Sequence, residues 1–239
     1  VQAILPRMTR RTLTYGTNTQ ADFVATDLAR DGLGLRFTVR YRGERLGEAR
    51  TQLPGRHNVL NALAALAVAH ELDVPFASAA EALAGFLGIE RRFEEKGVIG
   101  GIRIVDDYGH HPAEIRATLE AARGVHEGRI VVAFQPHRYT RTRDLWDEFV
   151  TAFNDADVLF VSEIYAASES KIPGIEATEL VAAIRAHGHR EAHFVADLDA
   201  LEERLVETAR PGDLVLTLGA GSIASLGSRL VAALGGHDS

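Results

Sequence analysis

From Gly101 onward, short apolar segments alternate strictly with longer amphipathic segments. Strands are predicted at 102–105, 130–134, 158–161, 192–195 and 214–218. Helices fit between and after them, near 113–123, 143–153, 177–187, 198–209 and 223–234. Five strand–helix units in succession predict an α/β fold, a Rossmann-like, doubly wound and mostly parallel sheet with helices on both faces. Right-handed crossovers would place the carboxyl ends of all these strands on one edge.

The first part of the chain has a different pattern. Short strands are predicted at 11–15 and 35–41, with a hairpin tip at 40–45 and a return strand at 44–53. Apolar residues at helical spacing predict a main helix from about Val59, and a second helix is expected at 77–86. The charged sequence ERRFEEK (90–96) joins the two patterns, so two domains are predicted, 1–91 and 92–239.

Composition narrows the classes of function. The formal net charge of −7 argues against non-specific nucleic-acid binding. The absence of cysteine excludes disulfides and thiolate metal sites. The longest apolar stretch, 59–69, is interrupted by Asn61 and falls short of the roughly 20 residues that span a bilayer. No membrane insertion is therefore expected, and a cytoplasmic location is predicted.

Polar and aromatic residues follow the predicted strands. The sequence DDYGHHP (106–112) follows the first strand and QPHRYTRT (135–142) the second. SEIYAASE (162–169) follows the third strand, and GAGS (219–222) follows the last. Because ligands of open parallel sheets bind outside the carboxyl ends of the strands, these loops predict a binding site.

Each residue in these loops has more than one interpretation. Asp106 and Asp107 could bind ribose hydroxyls or hold a metal through water, or one of them could cap the helix that starts near Pro112. His110 and His111 are adjacent, so they cannot share a metal as an i, i+4 pair would, and no metal ligands are assigned. A role in orienting a carboxylate or phosphate fits this histidine pair better.

Arg138 and Arg141 lie three residues apart where a loop enters a helix. If the first turn has begun by Tyr139, both guanidinium groups can converge on one anion. The alternative is a solvated basic turn whose arginines pair with Asp144 and Asp147.

Two further motifs remain open. GAGSIA (219–224) fits the glycine pattern of a dinucleotide site and leaves a nicotinamide-dependent oxidoreductase as an alternative. No later strand carries the ribose-binding acid, so a tight turn with close helix packing is favoured. Asn58 and Asn61 share a helix face and could read an adenine edge, or else Asn58 or His57 caps that helix.

Together these motifs resemble the Mur ligase family, in the family's order along nearly the whole chain. The matching sequences are GRHNVLNA (55–62), RRF (91–93), DDYGHHP with Glu114 and Ile115, FQPHRYTRT (134–142), YAASE (165–169) and GAG (219–221). The loop FQPHRYTRT is the most specific of them and is similar to members that join L-alanine to UDP-N-acetylmuramate.

The resemblance implies an ATP- and Mg²⁺-dependent ligation in peptidoglycan precursor synthesis. ATP would phosphorylate the muramic acid carboxylate, and the alanine amine would attack the acyl phosphate. By resemblance, five residues contact the nucleotide: Asn58, Asn61, Arg92, Asp107 and Tyr108. Three face the reaction centre: His110, Arg138 and Arg141.

The sequence also departs from the family pattern. No GxxxxGK[ST] phosphate loop occurs in it, and the family's UDP-binding domain and metal ligands are expected upstream. Residues 1–91 would then be the carboxyl-terminal remainder of the central ATPase domain, a strand-and-helix tail. Ser168 stands where the family often has glycine. We therefore expect a fragment that lacks the amino-terminal half and is inactive alone. A stand-alone nucleotide-binding or regulatory module and a murein tripeptide-recycling ligase remain alternatives.

Overall fold

The computed structural model describes residues 2–236, so Val1 and residues 237–239, at the ends of the two predicted domains, lie outside the described part. The chain divides into two compact units, Val1–Leu87 and Gly88–Ser239. The division falls just before the charged sequence at 90–96. Each unit has its own sheet and its own apolar core.

The first unit is a four-stranded sheet covered by two helices. After a 3-10 helix at Gln2–Arg7, its elements are β1 (Tyr15–Gly16), β2 (Phe23–Asp31), β3 (Gly34–Tyr41), β4 (Glu44–Thr51), α1 (Arg56–Glu71) and α2 (Phe76–Ala84). The strands lie in sequence order, with β1 parallel to β2 and the other pairs antiparallel. Helix α1 buries the apolar face that its spacing predicts: Val59, Ala62, Leu63, Leu66 and Ala67.

The predicted strand at 11–15 is wrong in extent, because only Tyr15 of that range is extended in the sheet. Thr14 lies just before it and binds the carboxylate of Asp22 through its amide at 2.9 Å and its hydroxyl at 2.8 Å. The Thr14 amide is therefore bound by a side chain, while its carbonyl accepts from the Phe23 amide at 2.9 Å.

The second unit is a six-stranded sheet with helices on both faces. Its elements are β5 (Glu94–Ile99), β6 (Ile102–Asp107), α3 (Pro112–Val125), β7 (Ile130–Phe134), α4 (Tyr139–Asp144), α5 (Trp146–Val150), β8 (Val158–Val161), α6 (Ala177–Ala186), β9 (Ala192–Phe194), α7 (Leu198–Thr208), β10 (Leu214–Leu218), a 3-10 helix at Ser222–Ser225 and α8 (Leu226–Gly235). The spatial order is β5-β6-β10-β7-β8-β9, and every pair is parallel except β5 with β6. The predicted mostly parallel α/β sheet is confirmed.

Strands β7 and β10 are buried along their entire length, as expected where helices cover both faces of a parallel sheet. In sequence β10 comes last, but it pairs between β6 and β7. The loops that follow β6, β10, β7 and β8 therefore stand side by side at one edge. This arrangement builds the candidate site.

Two elements differ from the prediction. Strand β5 has no counterpart in it, because EEKGVI forms a half-exposed edge whose register shifts between Glu95 and Gly97, which hides the alternation of a strand. The helix predicted at 143–153 begins earlier, at Tyr139, and breaks at Leu145, whose φ of −116° and ψ of 23° are not helical. Within residues 2–236, no helix is both long and apolar enough to cross a membrane.

Candidate functional site

Four rings cross the carboxyl edge of the second sheet, and we call them the aromatic row: Tyr108, His110, His137 and Tyr165. The ring centroids of successive members are 5.1, 5.6 and 5.5 Å apart, and the His137 and Tyr165 rings are stacked. The prediction named Tyr108 and His110 but not His137 or Tyr165. The sequence places both residues in loops at this edge of the sheet. It does not show which side chains in those loops contact one another.

Arg138 and Arg141 both project from the start of α4, which begins at Tyr139 as the predicted anion clamp requires. Arg141 Nη1 donates to the backbone oxygen of His137 at 3.1 Å and lies 3.1 Å from its Nδ1. The guanidinium of Arg138 is exposed and hydrogen-bonds to no residue that the structure describes. One arginine is therefore fixed in place, and the other is open to a ligand.

The alternative, in which these arginines pair with Asp144 and Asp147, is not found. Asp144 instead forms an ion pair with Arg143, whose Nε lies 2.7 Å from Asp144 Oδ1. Burial, with the neighbouring Arg141 next, lowers the pKa of His137 and favours its neutral form. Since Arg141 can only donate, Nδ1 of His137 accepts and the ring proton sits on Nε2.

The backbone of Arg138 has a φ of 72°, which is unfavourable for any residue with a side chain. Such a conformation costs on the order of 1–3 kcal/mol and persists only where the surroundings enforce it. Here its amide donates to Tyr165 O at 2.8 Å, and its carbonyl accepts from the amide and hydroxyl of Thr142. The strain thus falls on the residue that presents the open guanidinium.

His110 is held at the other side of the row. Its Nδ1 lies 3.0 Å from Tyr108 O and 3.6 Å from the carboxylate of Glu114, so Nδ1 carries the proton. No described group hydrogen-bonds to Nε2, which is left as an acceptor. Burial lowers the pKa of His110, so the neutral ring dominates at pH 7.

His111, and not an aspartate, caps α3. Its Nδ1 accepts from the Ala113 amide at 3.2 Å, while Glu114 accepts from the amides of His110 and His111. The interpretation of Asp106 or Asp107 as this cap is wrong, because both carboxylates turn into the protein.

Asp107 is buried, and three donors reach its carboxylate. The Phe93 amide lies 2.8 Å from Oδ2, the Gly109 amide 2.7 Å from Oδ1, and the Thr118 hydroxyl 3.3 Å from Oδ1. Burial raises its pKa against the opposing effect of these hydrogen bonds. The Asp107 carboxylate therefore links the backbone at Gly109, next to Tyr108, to the backbone at Phe93, and a ribose hydroxyl would have to share its oxygens.

Asp106 forms a second buried network that the sequence did not indicate. Its Oδ2 accepts from Arg91 Nε at 2.9 Å and its Oδ1 from the Thr217 hydroxyl at 2.6 Å. Arg91 also donates through Nη2 to Gly219 O. The network ties the start of the second unit to the glycine turn after β10.

Arg92 and Tyr108, two of the residues predicted to contact the nucleotide, lie next to each other. The guanidinium carbons of Arg91 and Arg92 lie 5.2 and 5.5 Å from the Tyr108 ring centroid. Arg92 lies 3.8 Å from Glu114 and is half exposed. The pair presents a cation and an aromatic face beside His110.

The other two predicted nucleotide contacts, Asn58 and Asn61, belong to α1 of the first unit. Asn58 Nδ2 donates to Pro54 O at 2.7 Å, and Asn61 Nδ2 donates to Asn58 Oδ1 at 3.3 Å, which confirms that they share a face. The helix follows Gly55 and has no side-chain cap, so capping by His57 or Asn58 is wrong.

The glycines after β10 serve a tight turn. A Cβ on Gly221 would come within 2.5 Å of Gln135 Oε1 and 2.6 Å of the Tyr165 ring. The same Gln135 oxygen accepts from the Ile223 amide at 3.1 Å, which occupies a donor that a pyrophosphate would use. Close packing thus accounts for the motif. Over the described part of the chain, no three His, Cys, Asp or Glu residues converge as metal ligands.

The second unit is thus a Rossmann-like α/β domain with cationic and aromatic groups at the carboxyl edge of its sheet, the class of domain that binds an anionic ligand there. A sequence model described as "Mur ligase, glutamate ligase domain" matches residues 91–221, and one described as "Mur ligase middle domain" matches residues 1–69. The chain belongs to the Mur ligase family.

Curated relatives and solved structures agree with this assignment. A UDP-N-acetylmuramate–L-alanine ligase of Sorangium cellulosum is 55% identical over 93% of this chain and 48% of its own length. The structure of a UDP-N-acetylmuramate-alanine ligase from Thermotoga maritima matches with a TM-score of 0.80 and 31% identity, covering 94% of this chain and 48% of that one. A murein peptide ligase from Psychrobacter arcticus matches with a TM-score of 0.59 and 26% identity, covering 93% and 46%. The chain spans about half the length of the curated relatives it matches.

Proposed function

We propose that this chain supplies the carboxyl-terminal half of an ATP-dependent ligase that joins L-alanine to the carboxylate of UDP-N-acetylmuramate. The observation that carries the proposal is the arginine pair: Arg141 is fixed against His137, while Arg138 is strained and open. The names of the relatives support the choice of alanine and UDP-N-acetylmuramate, since they are alanine-adding ligases at 50–55% identity.

The arginine pair fits the anionic groups of such a reaction. A free amino acid carries a carboxylate, and attack on an activated carboxyl group creates negative charge on oxygen. Two guanidinium groups on one short helix start can bind the first or stabilise the second. Because Arg141 is already oriented, little reorganisation is needed when the charge develops.

His110 fits the proton transfer that amide formation requires. The amino group of L-alanine is protonated at neutral pH and must lose a proton to become a nucleophile. Neutral His110 offers Nε2 as the acceptor, because Nδ1–H is directed at Tyr108 O. We assign the general-base role to this nitrogen.

The nucleotide is bound only in part by this chain. ATP, when bound, supplies the phosphoryl group that activates the carboxylate. Arg92 and Tyr108 fit a nucleotide, and we assign Asn58 and Asn61 to its adenine. We also assign Asp107 to the nucleotide. Its carboxylate binds the Gly109 amide next to Tyr108, and one of its oxygens would also accept from a ribose hydroxyl. The sequence has no phosphate loop, and we assign phosphate and Mg²⁺ binding to the remainder of the ligase.

A chimaera tests this function. This chain would replace the matching stretch of the Sorangium cellulosum relative, and ADP release would be measured with UDP-N-acetylmuramate and L-alanine. We expect turnover that needs both substrates, and its loss in the same chimaera with Arg141→Ala. A folded chimaera without turnover would refute the proposal.

The alternatives give different results in the same experiments. Turnover with murein tripeptide in place of L-alanine would identify a recycling ligase. Micromolar binding of ATP to the chain alone, measured by calorimetry, would favour a stand-alone nucleotide-binding module.

A further inference from the structure

The loop after β8 packs along the loop after β7. His137 and Tyr165 form an isolated parallel bridge beyond the ends of the two strands. The Tyr165 amide donates to Pro136 O, and the Arg138 amide donates to Tyr165 O, both at 2.8 Å. The second loop therefore holds the backbone that leads into the arginine pair.

Glu169 lies within this loop, and both of its carboxylate oxygens accept hydrogen bonds from Thr140. Oε2 accepts from the Thr140 amide at 3.0 Å, and Oε1 accepts from the Thr140 hydroxyl at 2.6 Å. These hydrogen bonds lower the pKa of Glu169, so the carboxylate stays ionised at neutral pH. The chain reaches this position through Ala167 and Ser168, whose φ values of 48° and 74° are both left-handed.

Thr140 lies between Arg138 and Arg141 in the first turn of α4, where backbone amides have no partner within the helix. A helix of six residues has few internal hydrogen bonds to fix its direction. An external carboxylate bound to Thr140 fixes the turn from which both arginines project. The charge of Arg138 also contributes to the lowered pKa of Glu169, although no hydrogen bond joins the two side chains.

We propose that Glu169 is a positioning residue for the anion site of Arg138 and Arg141, acting through Thr140. The proposal rests on the proposed function for its catalytic consequence. Glu169 orients the turn, and the open guanidinium of Arg138 remains available to the ligand.

Kinetics of the chimaera test this role. Glu169→Gln keeps the size of the side chain but removes the charge and one of the two acceptor oxygens. We expect kcat/KM for L-alanine to fall about tenfold or more, because small misplacements of oriented groups are costly, while KM for ATP stays within about twofold. Thr140→Val should reproduce the loss, and Thr140→Ser, which keeps the hydroxyl, should restore most of the activity.

Glu179→Gln is the matched control, since Glu179 is an exposed glutamate of the same unit in the first turn of α6. It should leave both kinetic constants unchanged. Two results would show that Glu169 is not a positioning residue for this site. In the first, Glu169→Gln lowers only the melting temperature; in the second, it impairs the use of L-alanine and of ATP to the same extent.

A second readout does not depend on ligase activity. Amide hydrogen exchange of Thr140, followed by NMR in the chain itself, should accelerate about tenfold or more in Glu169→Gln and stay unchanged in Glu179→Gln. Unchanged exchange at Thr140 would overturn the proposal even in an active chimaera. An inactive wild-type chimaera with this acceleration would refute the ligase function and leave the contact established.

Discussion

Asp106→Ala should destabilise the second unit strongly. Asp106 is fully buried and neutralises Arg91, whose side chain is only 20% exposed. Removal of the carboxylate leaves the guanidinium with Gly219 O and the Tyr108 ring, and leaves the buried Thr217 hydroxyl with a weak 3.5 Å contact to Val105 O.

The magnitude follows from these two losses. A hydrogen bond to a charged group contributes about 1.5–3 kcal/mol, and an orphaned buried hydroxyl costs about 1–3 kcal/mol. Together they give about 2.5–6 kcal/mol, which brackets the roughly 3–5 kcal/mol found when one partner of a buried pair is removed. Asp144→Ala, which breaks the exposed pair with Arg143, is the control and should cost less than about 1 kcal/mol.

Urea unfolding followed by tryptophan fluorescence measures this change. Trp146 is the only tryptophan of the chain and lies in the second unit, so its signal reports on that unit. The double variant Asp106→Ala/Arg91→Ala should lose about 1–3 kcal/mol less than the sum of the single losses, because no unpaired charge remains. A loss below about 1 kcal/mol for Asp106→Ala, or full additivity with Arg91→Ala, would refute the reasoning.

Other expected outcomes concern single side chains. Ser168→Gly should raise the stability of the second unit in urea by about 0.5–1 kcal/mol, because Ser168 is left-handed, whereas Ser170→Gly should not. His189 has a buried Nε2 with no hydrogen-bond partner among the described residues, and burial lowers its pKa below 6.5. The folded state therefore favours neutral His189, and melting temperature should fall as pH drops below 6.5, less steeply in His189→Leu. In the chimaera, activity should fall on the acid side of pH 6.5 as His110 is protonated, and His110→Gln should lack that limb. Arg138→Ala should lower kcat about 100-fold with an unchanged melting temperature. Retained activity would show that Arg138 is a surface residue with no role in the reaction.

The central strands could be predicted because their signal is local. The predicted ranges 130–134, 158–161 and 214–218 are those of β7, β8 and β10, since strands buried on both faces are continuous apolar runs. Half-exposed edges have a weaker signal, which is why β5 has no counterpart in the prediction. The break at Leu145 falls inside a stretch that the sequence predicted as one helix.

The sequence by itself determined the succession of the five parallel strands of the second unit and of the helical segments between them, and the side of the sheet on which the functional loops lie. Periodicity, turn residues and handed crossovers act over short distances, so they can be read along the chain. Only the tertiary structure placed β10 between β6 and β7, turned Asp106 and Asp107 inward, and brought Glu169 to Thr140. These features depend on contacts between residues far apart in sequence, where burial and hydrogen-bond partners decide which of several polar side chains remains open to a ligand.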